Sequence, residues 1–326
     1  MSTDASPAAH DSAGEIPPTD SSTIASSGTA PAPTPPVRTL VIGIVNVTPD
    51  SFSDGGCFLL RDGALAHGRV LIDQGADMLD VGGESTRPGA TRVGPEEELA
   101  RVMPVIERLT AIGIPVSIDT MRAGVAAAAV LAGARLINDV SGGLADPAMI
   151  RTAASLGVDY VCQRWRGPRP PTLSLGGRAD QQLGPGSGVD ALLAELVARR
   201  DACLDAGMAP EHLVLDPGLG FGTTTSLDWD VLRRLDEFAA LGHRLLVGPS
   251  RKRFLTQTLP DGPGTARRDA GTAATATLCA VHGAWAVRVH EVVGSWAGVR
   301  VAHRLAQSRP ARPRPDAAPE HPAATA

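Results

Sequence analysis

The sequence predicts a single (β/α)8 barrel of the TIM type, and three observations carry that prediction. Eight short apolar, β-rich runs recur along the chain. Helix-length amphipathic stretches separate them. The segment that holds them, 38–307, is about 270 residues long, close to the roughly 250 of one such barrel. Strand followed by helix, eight times over, favours a parallel barrel. The competing arrangement is an open doubly wound sheet, but no GxGxxG follows the first run, where a dinucleotide fingerprint would sit.

Taken in order, the candidate strands are 40–45, 78–81, 115–118, 135–137, 159–162, 213–215, 244–247 and 285–289. Each is apolar, four to six residues in most cases, and bounded by turn residues. The stretches 61–74, 95–112, 122–132, 189–206, 227–241 and 270–282 show amphipathic helical spacing between them. Gly/Pro-rich 166–188 lengthens the connection after the fifth strand and reads as a surface loop. The flanks differ in kind. Residues 1–37 are nearly all Ser, Thr, Ala, Pro, Asp and Gly, and 308–326 are Pro/Ala/Arg-rich, so both are predicted to be disordered tails unable to bury enough apolar surface to offset chain entropy.

Composition excludes several classes. A chain that is 43% hydrophobic and 20% charged can build a large core. No apolar run reaches the 18 residues or so that a membrane span needs. The N-terminus lacks the basic start and apolar stretch of a secretory signal. A net charge of −5 argues against a nucleic-acid partner, which needs a basic face. Cys57, Cys162, Cys203 and Cys279 are widely spaced with no CxxC pair, which suggests reduced thiols in a cytoplasm.

Two scarcities narrow the search. Of the 30 basic residues only Lys252 is a lysine, and only Asn46 and Asn138 are asparagines. In a chain that uses arginine at nearly every cationic position, a surviving lysine suggests a need for a compact ammonium.

Polar residues concentrate where predicted strands end, the active rim of such barrels. Strand one ends at Asn46, two runs into Gly82 to Gly89, and three ends at Asp119. Strand four ends at Asn138 and Asp139, six at Asp216, seven at Ser250 to Lys252, and eight carries Arg288 and His290 on one face. Singly, each has an ordinary explanation. Asp139 reads mainly as a helix N-cap, Asp119 and Asp216 are balanced between capping and function, and Arg87 and His290 alone fit a loop cation and a satisfied histidine. Their coincidence at one rim carries the argument. Carboxylates and Asn amides suit a flat heterocycle with alternating donors and acceptors. Arg87, Arg288 and His290 suit a phosphate or diphosphate, which would bring Mg²⁺, with Asn46 offering a carbonyl oxygen.

Seven peptides in order carry a resemblance to a known family. They are IVNVTPDSFSDGG at 44–56, DVGGESTRPGA at 80–90, VSIDT at 116–120, INDVSGG at 137–143, LDPGLGFG at 215–222, SRKRFL at 250–255 and RVHEV at 288–292. Over about 37–304 the chain resembles dihydropteroate synthases, transferases of folate biosynthesis. That resemblance implies condensation of 6-hydroxymethyl-7,8-dihydropterin diphosphate with para-aminobenzoate to give 7,8-dihydropteroate and pyrophosphate. It implies that Asp119, Asn138, Asp216 and Lys252 hold the pterin, and that Asn46, Arg87, Arg288 and His290 hold diphosphate and Mg²⁺. Thr86, Pro88, Phe221 and Ser250, with Phe52, would shape the aminobenzoate pocket that sulfonamides target, and Asp54 would stabilise a cationic intermediate beside Asp216. It further implies a homodimer. The chain departs from the family pattern at Gln163 and Arg164, where a Met-His pair is usual, and at Thr223, Pro249 and Glu291. Two rivals remain: a methyltetrahydrofolate:corrinoid methyltransferase, which has no diphosphate to neutralise, and a pterin-binding paralogue without turnover.

Overall fold

Eight parallel strands close on themselves in sequence order, each followed by at least one helix. The computed structural model describes residues 38–48, 57–85, 92–165, 188–259 and 265–308. The predicted tails, apart from Ser308, and nearly all of the 166–188 loop lie outside those residues. The elements are β1 (Leu40–Asn46), α1 (Cys57–Asp73), β2 (Met78–Gly82), α2 (Pro95–Ala111), β3 (Val116–Asp119), α3 (Ala123–Leu131), β4 (Leu136–Asp139) and α4 (Met149–Leu156). They continue with β5 (Asp159–Gln163), α5 (Val189–Asp205), β6 (Leu213–Asp216), α6 (Thr225–Arg233), α7 (Leu235–Ala239), β7 (Arg244–Val247), α8 (Arg253–Thr258), α9 (Ala266–Val281), β8 (Ala286–Val289) and α10 (Val293–Gln307). Closure is made by β1 against β8, in register from Leu40 opposite Ala286 to Gly43 opposite Val289.

The strands read as almost unbroken apolar runs because both of their faces are covered, as in other all-parallel sheets. Outward side chains such as Val41, Leu79, Ile118, Ile137 and Leu215 join the helices in the larger core. Inward ones, Ile42, Leu136, Val161, Val214, Leu246 and Ala286, form a smaller fully buried layer across the barrel. Two residues further along, on the same inward face, stand Asn138, Gln163, Asp216 and Arg288. An apolar plug therefore floors a polar ring.

Local signals fix the helices. Pro95 opens α2, and Glu96, Glu97 and Glu98 in its first turn complement the helix dipole. Thr224 caps α6 by accepting from the Leu227 N–H at 3.2 Å. The predicted helix over 227–241 is two helices, broken at Arg234, which leaves the helical region at φ −113° and ψ 27° while its guanidinium binds Glu237 and Asp190. Asp159 at the opposite rim takes a bidentate pair of bonds from Arg244, both 2.7 Å, which ties β5 to β7. No described helix is long and apolar enough to cross a membrane.

Candidate functional site

Strand ends extend one residue or two further than the apolar pattern, so that Asn46, Gly82, Asp119, Asn138, Gln163 and Asp216 are the last or next-to-last residues of their strands. The ladder places Gly82 opposite Asp119, Asp119 opposite Asn138 and Gln163 opposite Asp216. Parallel strands bring all of these to one rim.

Arg288, on β8, lies across the ring. Its Nε donates to Asp80 Oδ2 and its Nη2 to Asp119 Oδ2 at 2.6 Å, and no described residue takes its Nη1. Asn138 Nδ2 donates to the same Asp80 oxygen at 2.9 Å, which turns the amide carbonyl away from Asp80. Asp80 is 1% exposed, and its Oδ1 is buried with no partner among the described residues. Sequence reasoning missed Asp80. The available signal was an acid in the middle of an otherwise apolar strand, on the same inward face as Gly82.

Burial pushes the Asp119 carboxyl up to about 7, against the pull of Arg288 and with a further push from Asp80. Asp216 is driven up to about 6 for the same reason, offset by the Gly218 N–H that donates to its Oδ1 at 2.7 Å and by Lys252, Arg288 and Arg164. Desolvation brings the Lys252 ammonium down to about 8, with Asp216 the chief counterweight. The lysine stands over the Phe221 ring, Nζ 3.9 Å from its centre, a cation–π contact. Gly220, at φ +73°, makes room for it: a Cβ there would meet Lys252 Cδ at 2.9 Å. Asp119, Asp216, Lys252 and Arg288 thus interact around one mouth instead of facing separate cavities.

Ser250 and His290, which sequence reading assigned to different subsites, bond directly, Oγ to Nδ1 at 2.9 Å. Between Ser250 and Lys252 lies Arg251, the one described non-glycine residue at positive φ, +56°. A bidentate bond to Asp269, at 2.6 and 3.0 Å, and an N–H bond to Thr272 Oγ1 hold it there. Asn46 closes β1 at the same rim, partly buried. Phe52, Asp54, Thr86, Arg87 and Pro88 lie outside the described residues.

One expectation is corrected. Asp139 does not cap a helix: it accepts from Ser141 N and Oγ, Gly143 N and Tyr160 Oη, and so pins the turn after β4, while α4 begins at Met149. The family departures each have a place. Gln163 is buried and donates to Val140 O at 3.1 Å, and Arg164 is buried against the loop after β6. Thr223 donates to Asp228 at 2.6 Å, Pro249 O accepts from Lys252 N, and Glu291 accepts from Gly294 N in the first turn of α10.

Chemically, the rim offers unpaired acceptors at Asp119 Oδ1, Asn138 Oδ1 and Asp216 Oδ2 beside an ammonium and a half-used guanidinium, among the described residues. That set matches a flat ring bearing several N–H donors next to an anion. Residues 42–290 match the pterin binding enzyme family. Among curated proteins, dihydropteroate synthase of Mycobacterium leprae is 47% identical over 265 residues, 80% of this chain and 91% of that one. Among solved structures, Xanthomonas albilineans dihydropteroate synthase with 4-aminobenzoic acid is similar at 41% identity and a TM-score of 0.74, covering 84% and 94% of the two chains. The same enzyme in complex with 7,8-dihydropteroate gives 38% and 0.71, covering 84% and 95%.

Proposed function

This chain belongs to the pterin-binding enzymes, and we infer from that premise that it is a dihydropteroate synthase. The observation that carries the reading is the convergence of Asp119, Asn138, Asp216, Lys252 and Arg288 on one rim, with acceptors left open toward a ring. The two substrates are the pterin diphosphate and para-aminobenzoate. The pterin's C–O bond to diphosphate breaks, and the aromatic amine closes a C–N bond and loses a proton.

Each residue has a task in that step. Asp119, Asn138 and Asp216 take the ring's N–H groups, and Lys252 donates to a ring acceptor from its seat on Phe221. Arg288 Nη1, with His290 and Arg87, receives the diphosphate. Asp216, and Asp54 between β1 and α1 in the sequence, favour the cation left on the pterin methylene as diphosphate departs. Phe52, Thr86, Pro88 and Ser250 line the place of the aminobenzoate.

Mg²⁺ fits a minor protein share. Asn46, partly buried at the end of β1, would offer the ion one carbonyl oxygen, and the substrate's diphosphate would offer the rest of the hard oxygen donors that Mg²⁺ takes. Bound there, it would neutralise phosphate charge.

The test is pyrophosphate release by the purified chain with Mg²⁺, omitting each component in turn. Release that requires both pterin diphosphate and aminobenzoate supports the reading, whereas release without the amine, or none with all present, overturns it. The pH profile of kcat/KM should be a bell. It rises as Asp216 and Asp119 lose their protons near 6 and 7, and falls as Lys252 loses its own near 8. A flat profile from 5 to 9 would remove all three groups from the chemistry.

The homodimer has a surface to rest on. Val293, Ala297, Val301 and Leu305 repeat every four residues along α10, all exposed, and α9, against which α10 packs, also exposes Leu278 and Val281. A second copy would cover this face. Light scattering should give twice the chain mass for the wild type and the single mass for Val301→Arg. A wild-type monomer would sink the proposal. Cytoplasmic residence accords with the free, buried thiols of Cys162, Cys203 and Cys279.

A further inference from the structure

Arg164 is 1% exposed and heads the fully buried side chains by size. An arginine keeps its charge in any folded site, and a buried ion costs several kcal/mol unless well paired. What offsets the cost here is the loop after β6 together with an acid of α5. The Arg164 backbone N–H donates to Asp216 O at 3.1 Å, Nε donates to Pro217 O at 3.3 Å, and Nη2 donates to Phe221 O. Nη1 pairs with Glu195 of α5 at 3.3 Å.

That loop needs holding. Gly218, Gly220 and Gly222 all have positive φ, between +69° and +74°, so the segment from Asp216 to Gly222 has much freedom to lose. It carries both the Gly218 N–H that donates to Asp216 and the Phe221 ring under Lys252. Arg164 grips it at both ends, Pro217 and Phe221. The fit is close on the other side too: a Cβ on Gly218 would come within 2.7 Å of Arg164 O.

We propose that Arg164 is a positioning residue for pterin recognition, clamping the 216–222 loop so that Asp216 and the Phe221–Lys252 pair meet the ring together. The inference rests on the pterin reading of the rim. It has an electrostatic corollary. Asp216 faces cations from three elements, Lys252 after β7, Arg288 on β8 and Arg164 after β5, with the Cys279 thiol of α9 also within its field. Asp228 of α6 and Glu195 of α5 face those cations from behind. Losing Arg164 removes one of three charges that keep Asp216 ionised.

The experiment is equilibrium binding of 6-hydroxymethylpterin to the full chain from pH 5 to 9, followed by fluorescence, for wild type, Arg164→Lys, Arg164→Gln and Glu195→Gln. Arg164→Gln should weaken binding about tenfold, the scale of one lost charge-assisted bond, and move the acid limb up by about half a pH unit or more. Arg164→Lys should restore the limb but not the full affinity, because an ammonium cannot span two carbonyls as the guanidinium fork does. Glu195→Gln, which removes a partly exposed negative charge from the far side of Arg164, should move the limb down. If Arg164→Gln does not fold, the limbs of the other two variants decide. Affinities within twofold and unmoved limbs overturn the inference while leaving the function intact. A wild type that does not bind the pterin overturns the function itself, and the inference with it.

Discussion

Replacing Lys252 by alanine is expected to lower kcat about a hundredfold to a thousandfold, the roughly 3 to 4 kcal/mol lost with one preorganised charged contact. The reason lies in what the ammonium touches. It stands on the Phe221 ring at 3.9 Å, faces Asp216, and interacts with Asp119 and Arg288 across the mouth. The described cations nearest to it are already engaged: Arg288 with Asp80 and Asp119, and Arg164 with the loop after β6. Steady-state kinetics with both substrates settles the matter, and turnover within a few fold of wild type would show the lysine to be a bystander.

Asp80→Ala should be the most damaging change to stability, about 3 kcal/mol, the lower end of the range for breaking a buried ion pair because Asp119 still partners Arg288. Urea unfolding measures it, and a loss under about 1 kcal/mol would mean that Asp119 alone suffices. Activity should fall as well. Without Asp80 the Asn138 amide loses the bond that fixes which of its two ends faces the mouth, and Arg288 loses the partner of its Nε.

The barrel was legible because the strands are short, mostly apolar runs spaced by helix-length segments, a pattern that survives without any tertiary information. Most of the rim was legible for a related reason. Asn46, Asp119, Asn138 and Asp216 each terminate an apolar run, and a polar residue there either caps or faces a ligand. Asp80 escaped because it sits inside its strand, where an acid looks like a flaw in the pattern until Arg288, 208 residues away in sequence, is brought against it. Asp139 was misjudged because its partners, Ser141, Gly143 and Tyr160, form a turn and a cross-strand bond that spacing alone does not distinguish from a cap. The break at Arg234 was hidden for the opposite reason: the apolar period runs through it undisturbed, and only the backbone departs.

The apolar plug beneath the ring has a last effect, on protons. Burial over this hydrocarbon floor brings Asp216, Asp119 and Lys252 to about 6, 7 and 8, values that straddle neutrality. The charge of this ring therefore depends on pH near neutrality. A guest that brings its own donors and negative groups draws that charge to one setting, and the protons displaced or captured are exchanged with the surrounding buffer as part of the act of binding.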